Sequence, residues 1–192
     1  MKSNKFQKGE TLVFAIVSLG VAIILLTIVI SISRNAVLMT IRTSDADALK
    51  QVTTSVQYYA EKNKEALILN KKISGIGNPN KPTVQELIDQ KYLTAEGVGV
   101  VTPFGSEYKI QVDAQPNGSI SGFAYLAGSI LGSSSGIPDG RRACEIARKL
   151  GDIGFCSAEG NSAMIGNGTA QVPNPAGAVP ASIAGYIFVP NS

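Results

Sequence analysis

Residues 11–33 read Thr11-Leu-Val-Phe-Ala-Ile-Val-Ser-Leu-Gly-Val-Ala-Ile-Ile-Leu-Leu-Thr-Ile-Val-Ile-Ser-Ile-Ser33, an uncharged run of 23 residues between Glu10 and Arg34. As an α-helix it reaches about 35 Å, enough to cross a hydrocarbon core of about 30 Å. After Arg34 neither Gly nor Pro occurs before Gly75, so nothing obliges the helix to stop at the bilayer surface. Leu38, Ile41, Asp45, Leu49, Val52, Val56, Tyr59, Asn63 and Ala66 then recur at steps of three or four, one stripe at the helical period. Arg42, Asp47, Lys50, Gln51, Glu61, Lys62, Lys64 and Glu65 take the opposite side. The expectation is a helix from Thr11 to about Leu69, roughly 90 Å long. Its first half needs lipid or protein all round, whereas its second half needs a partner along one side only. The alternative is a transmembrane anchor, a hinge near Ser33 to Asn35, and a separate helix.

Charge orients this segment. Lys2, Lys5 and Lys8 precede the run, while Arg34 and Arg42 after it are offset by Asp45 and Asp47. The denser basic cluster marks the cytoplasmic side, so the remainder is expected outside, in the periplasm. A cleaved secretory signal is the competing reading, but its apolar core is typically shorter and ends at a small-residue site. The whole net charge of +3 resides in those three lysines, since 14 basic residues balance 14 acidic ones from Glu10 onward. The basic stripe of a nucleic-acid binder is missing.

Residues 71–192 read as a small α+β head. Gly75-Ile-Gly-Asn-Pro-Asn-Lys-Pro82 is loop. Thr83, with Glu86 three residues on, forms a capping-box pattern before a short helix over Val84 to Lys91. Val98 to Thr102, Tyr108 to Val112, Ile120 to Leu126 and Ile183 to Val189 are β-favouring runs between turn-forming clusters. Asn117-Gly118 suits a hairpin, and Asp139 to Leu150, closed by Gly151, reads as a further helix. Packing a small antiparallel sheet on the amphipathic stripe buries both apolar faces.

No catalytic constellation accompanies this frame. The chain has no His, which removes the commonest base and metal ligand. Gly132-Ser-Ser-Ser-Gly136 matches G-x-S-x-G, with Ser134 at the nucleophile position, yet the match falls in a Gly/Ser-rich loop without the partners a triad requires. Cys144 and Cys156 lack C-x-x-C spacing and lie on the oxidising side of the membrane, which favours a structural disulfide over a redox pair or metal site. No cofactor is expected, and the chain is read as no enzyme.

Lys8-Gly9 followed by Glu10-Thr-Leu-Val-Phe-Ala-Ile-Val-Ser-Leu-Gly-Val-Ala-Ile-Ile-Leu-Leu26 resembles type IV prepilins and pseudopilins. The resemblance implies a leader, residues 1–9, cut at Gly9 by a prepilin peptidase at the cytoplasmic face, with Glu10 becoming the first mature residue. It further implies that residues 10–33 serve first as membrane anchor and then as filament core, with residues 34–70 as the amphipathic half of the helix. Family members usually carry Glu at the fifth mature position, where this chain has Phe14. A cut between Lys5 and Phe6 would make Glu10 fifth, without the preceding Gly. The absence of that Glu favours a minor or tip subunit. Gln57-Tyr-Tyr-Ala-Glu-Lys-Asn-Lys-Glu-Ala-Leu67, Leu93-Thr-Ala-Glu-Gly-Val98 and Thr102-Pro-Phe-Gly-Ser-Glu-Tyr108 also resemble, more weakly, the constant region of shufflon-type minor pilins of type IVb systems.

Taken as a whole, the resemblance implies a structural subunit of a type IV pilus or related pseudopilus. Its partners would be other pilin subunits, the peptidase and the inner membrane, with no nucleic acid and an unidentified surface receptor. The precursor would sit in the inner membrane and the mature subunit in an extracellular filament. The alternative is an unprocessed single-pass membrane protein with a periplasmic binding domain.

Overall fold

A computed structural model of the chain describes residues 45–95, 98, 106–132, 136–158, 162–166 and 170–191, all within one compact unit, Arg42–Ser192. The run 11–33, Gly9, Glu10, Phe14, Leu38, Ile41 and Ser134 lie outside the described residues, as does most of the run Val98 to Thr102. Among the described residues no helix is long and apolar enough to cross a membrane.

The architecture is α+β. Helix α1 covers residues 45–62, followed by α2 (Lys64–Ile68), α3 (Val84–Asp89), β1 (Tyr108–Ala114), β2 (Ile120–Leu126), α4 (Gly140–Lys149), a 3₁₀ turn (Gly151–Ile153), β3 (Gly154–Cys156), β4 (Ala163–Gly166), β5 (Gln171–Pro173) and β6 (Ile183–Val189). The expected stripe forms: Asp45, Leu49, Val52, Val56 and Tyr59 are buried, while Asp47, Lys50, Gln51, Glu61, Lys62 and Glu65 are exposed. The helix is not continuous to Leu69, however. Asn63 leaves helical geometry at φ −111° and ψ 17°, and the buried position after it is Leu67 in place of Ala66.

Thr83 and Glu86 form the expected capping box, with Thr83 N–H donating to Glu86 Oε2 at 2.7 Å and Glu86 N–H to Thr83 Oγ1 at 3.2 Å. Gly77 N–H also donates to the other Glu86 oxygen at 2.7 Å. One carboxylate therefore starts α3 and ties down the Gly/Pro loop before it, and these backbone donors hold its pKa below the usual range. Helix α3 ends at Asp89, two residues short of Lys91, because the N–H groups of Tyr92 and Leu93 both turn back to Leu87 O.

The six strands form one antiparallel sheet in the order β1-β2-β6-β3-β4-β5. Asn117-Gly118 turns the β1–β2 hairpin, with Gly118 at φ +78°, a conformation that favours glycine. Alternation then sorts the side chains. Ile120, Ala124, Leu126, Ile183 and Ile187 join the α1 stripe in a single core. Phe123, Tyr125 and Tyr186 belong to a second cluster around Phe155 on the opposite sheet face. Strands β3, β4 and β5 are not among the expected elements, since three or four residues within a Gly-rich stretch carry too little alternation to register.

Candidate functional site

The feature that organises the molecule is the seam along which α1 lies on the sheet. Leu49, Val52, Val56 and Tyr59 are fully buried along it. Thr53 sits in the same seam, its hydroxyl donating back to Leu49 O at 2.7 Å. A Cβ on Gly185 would collide with Thr53 Oγ1, so the glycine in β6 sets how closely helix and sheet approach. Hydrophobic periodicity locates α1 but gives no sign of this contact; a glycine inside an otherwise apolar strand is the available signal.

At the C-terminal end of α1 the polar groups are paired. Tyr59 donates its hydroxyl to Pro79 O at 2.9 Å and stacks edge-on with Tyr92 at 5.3 Å. Asn63 Nδ2 donates to the Tyr92 hydroxyl and to Tyr59 O, each at 2.9 Å. Lys64 Nζ reaches Pro190 O at 2.8 Å. This lysine, assigned by its spacing to the solvent side, is half-buried and fastens the helix to the end of β6. Burial raises the Tyr59 pKa, helped by the neighbouring Tyr92 and Glu86.

The first described turn of α1 differs. Asp45 is only 3% exposed, and neither carboxylate oxygen has a hydrogen-bond partner among the described residues. Burial pushes its pKa from 3.8 up to about 6, against the opposing pull of Arg142. Arg142, on α4, is itself buried and donates from Nη1 to Leu131 O at 2.7 Å. Tyr108 completes the group, its hydroxyl pushed up to about 12 by burial and by the Asp45 charge. Asp45 is already visible in the sequence as an acid within the apolar stripe. Arg142 carries no comparable mark, although its place one turn from Ile146 puts a cation on the buried arc of α4.

Cys144 and Cys156 form a disulfide with Cα atoms 5.0 Å apart, joining α4 to β3. Asp139 caps α4 by accepting from Arg142 N–H at 3.0 Å. Cap and bridge together fix the helix that brings Arg142 to Asp45. The groove beside the bridge, about 380 Å³, is lined in part by Arg148, Gly154 and Ile165 and is open to solvent. Among the described residues no three or more Cys, Asp or Glu side chains gather as a metal site. The site residues expected for leader cleavage and anchoring, Gly9, Glu10 and Phe14, are outside the described residues. No family model, curated protein or solved structure matches the chain.

Proposed function

We propose that the chain is a pilin-like structural subunit, minor or at a filament tip, of a type IV pilus or related pseudopilus. The observation that carries this reading is the continuity of two patterns. A basic leader ending in Lys8-Gly9 precedes an uncharged run of 23 residues, and the stripe that comes after it in sequence is the one buried beneath the sheet through Leu49, Val52, Val56 and Tyr59. In this reading α1 continues N-terminally through residues 11–33, whose apolar surface is held first by lipid and later by neighbouring subunits. The head, stapled by Cys144–Cys156, is what the filament displays. The chain's role is assembly by burial of apolar helix, without catalysis.

Intact mass and N-terminal sequencing of the protein from membranes, with and without a prepilin peptidase, test the proposal. A mature chain beginning at Glu10 is the expected product and places Phe14 fifth. A chain beginning at Phe6 keeps the pilin pathway and makes Glu10 the fifth residue. An uncut Met1 under both conditions overturns the proposal in favour of a single-pass membrane protein with a periplasmic binding domain.

A further inference from the structure

Among the described residues, no helix contributes a buried apolar side chain to the sheet face turned away from α1. The buried apolar residues of all four helices belong to the core on the other side, and none joins the cluster around Phe155. Register orders what the outer face presents. Phe123 pairs with Gln111 on one side and with Tyr186 on the other, Tyr125 pairs with Lys109, and Ser121 pairs with both Asp113 and Phe188. Alternation therefore sets a polar column, Lys109, Gln111 and Asp113 on β1, beside an aromatic strip, Tyr125, Phe123, Tyr186 and Phe188 on β2 and β6. Phe123 lies 5.3 Å from Tyr186, and the two rings meet Phe155 at 6.1 and 5.9 Å. Phe123, Tyr125 and Tyr186 are half-buried, and Phe188 is 48% exposed.

The polar groups beside the rings are organised in pairs. Gln111 Nε2 donates to Asp113 Oδ2 at 2.9 Å, Gln115 Nε2 to Ser121 Oγ at 2.8 Å, and Lys109 Nζ to Glu107 Oε2 at 2.8 Å. Each amide has a second N–H and a carbonyl oxygen besides. At its Tyr125 end the strip meets a cleft of about 510 Å³, whose walls include Lys81, Gln85, Glu107 and Lys109.

This composition selects a partner. Lys109 and Asp113 lie directly beside the rings, whereas the centre of a protein interface is depleted of charge. Face and cleft together carry Lys81 and Lys109 against Glu107 and Asp113, which leaves no net charge to draw a polyanion or an anionic headgroup. Uncharged rings bordered by amide, hydroxyl and carboxylate groups match a molecule that is apolar on its faces and hydroxylated round its rim. A pyranose with equatorial hydroxyls is such a molecule. Its axial C–H bonds suit the negative face of an aromatic ring, and its hydroxyls both donate and accept.

We propose that the outer sheet face of the head is a carbohydrate-binding site for neutral, β-linked pyranose chains, which lie along Tyr186, Phe123 and Tyr125 with their hydroxyls on Gln111 and Asp113 and one end in the cleft beside Lys109. The site belongs to the head alone and requires neither leader cleavage nor a filament, so it can fail while the pilin reading stands, and the reverse.

The full-length protein, held in an amine-oxide detergent that carries no sugar, is titrated calorimetrically with cellotetraose and with chitotetraose. At least one should bind with a Kd of about 1 mM or below. Tyr125→Ala should weaken that binding at least about tenfold, and Gln111→Leu at least about threefold. Tyr58→Ala, which removes an exposed ring on α1, should leave it unchanged. Gln111→Leu alters only the polar column and carries the test should Tyr125→Ala misfold. No binding of either sugar at about 10 mM overturns the site. Binding that both variants leave unchanged, each shown to be folded by hydrogen exchange, seats the sugar elsewhere and overturns it. A loss in Tyr125→Ala with none in Gln111→Leu marks apolar contact without recognition of hydroxyls, and also overturns it.

Discussion

The two ends of the described part of α1, residues 45–62, handle polar groups in opposite ways. At the C-terminal end Tyr59, Asn63 and Lys64 each reach a partner elsewhere in the head, so that end is closed by the chain itself. At the other end the Asp45 carboxylate is buried without a hydrogen bond among the described residues, where the field of Arg142 opposes its desolvation. A buried charge in that condition weakens the fold unless it is neutralised. The contrast separates two functions of burial. One end latches the helix to the head, and the other holds a titratable group where the chain leads back toward its apolar run.

The strongest test removes the helix between the ends. Leu49→Asp places a charge at a fully buried position of the seam and should cost at least about 4 kcal/mol, because no partner is available to it. Hydrogen exchange of the full chain in detergent should then lose protection over β2 and β6 as well as α1. Retained protection in both strands would mean that the head folds independently of the helix, and the contrast between its ends would lose its meaning.

Next in size is the bridge. Cys144→Ser with Cys156→Ser should cost about 2–3 kcal/mol, the range for a loop of this length, with the cysteines 12 residues apart. Because α4 carries Arg142, the loss should appear first at the Asp45 end. Limited proteolysis should open the segment around Leu131 well before the segment around Asn63. Equal opening at both ends would show that the bridge stabilises the head without favouring one side.

Much of this architecture is legible in the sequence. Repeats of three and four place Leu49, Val52, Val56 and Tyr59 on one face, and the Thr83–Glu86 spacing marks the start of α3. Strands β2 and β6 fall at the bounds expected of them, Ile120–Leu126 and Ile183–Val189, because each is long enough for alternation to show. The break at Asn63 is not legible, since Asn is tolerated in a helix and the neighbours that draw it out, Tyr59 and Tyr92, are 4 and 29 residues away. Pairings at such separations are decided by tertiary packing, which also explains why Asp45 and Gly185 stand out in their apolar runs while their partners, Arg142 and Thr53, cannot be read from the pattern. The disulfide is legible because only two cysteines exist.

The charged end should show itself through pH. The Asp45 carboxyl is neutral more readily in the folded chain, at about 6 against 3.8, so its contribution is complete below about pH 4 and is lost as pH rises through 6. Above that range the ionised group should cost roughly 3 kcal/mol. Asp45→Asn removes the ionisation, and denaturant unfolding of the full chain in detergent should find the variant more stable than the parent at pH 7.5 and nearly indifferent between pH 4 and 7. A parent whose stability rises over that interval would show that Arg142 outweighs burial and that both ends of α1 are closed.

The smallest effect belongs to the latched end. Tyr59→Phe keeps the ring against Tyr92 and removes only the hydroxyl that donates to Pro79 O. The loss should be about 1 kcal/mol, the usual net value of one such bond, and it should be independent of pH between 4 and 7 because no group titrates with it in that range. Asp45→Asn and Tyr59→Phe act at sites separated by 14 residues of helix, about 21 Å, so their effects should add in the double variant. A sizeable coupling between them would mean that α1 moves as a rigid lever, with the charge at one end straining the latch at the other. Additivity would mean that each end is set by its own neighbours, so that neutralising Asp45 leaves the Tyr59–Pro79 hydrogen bond untouched.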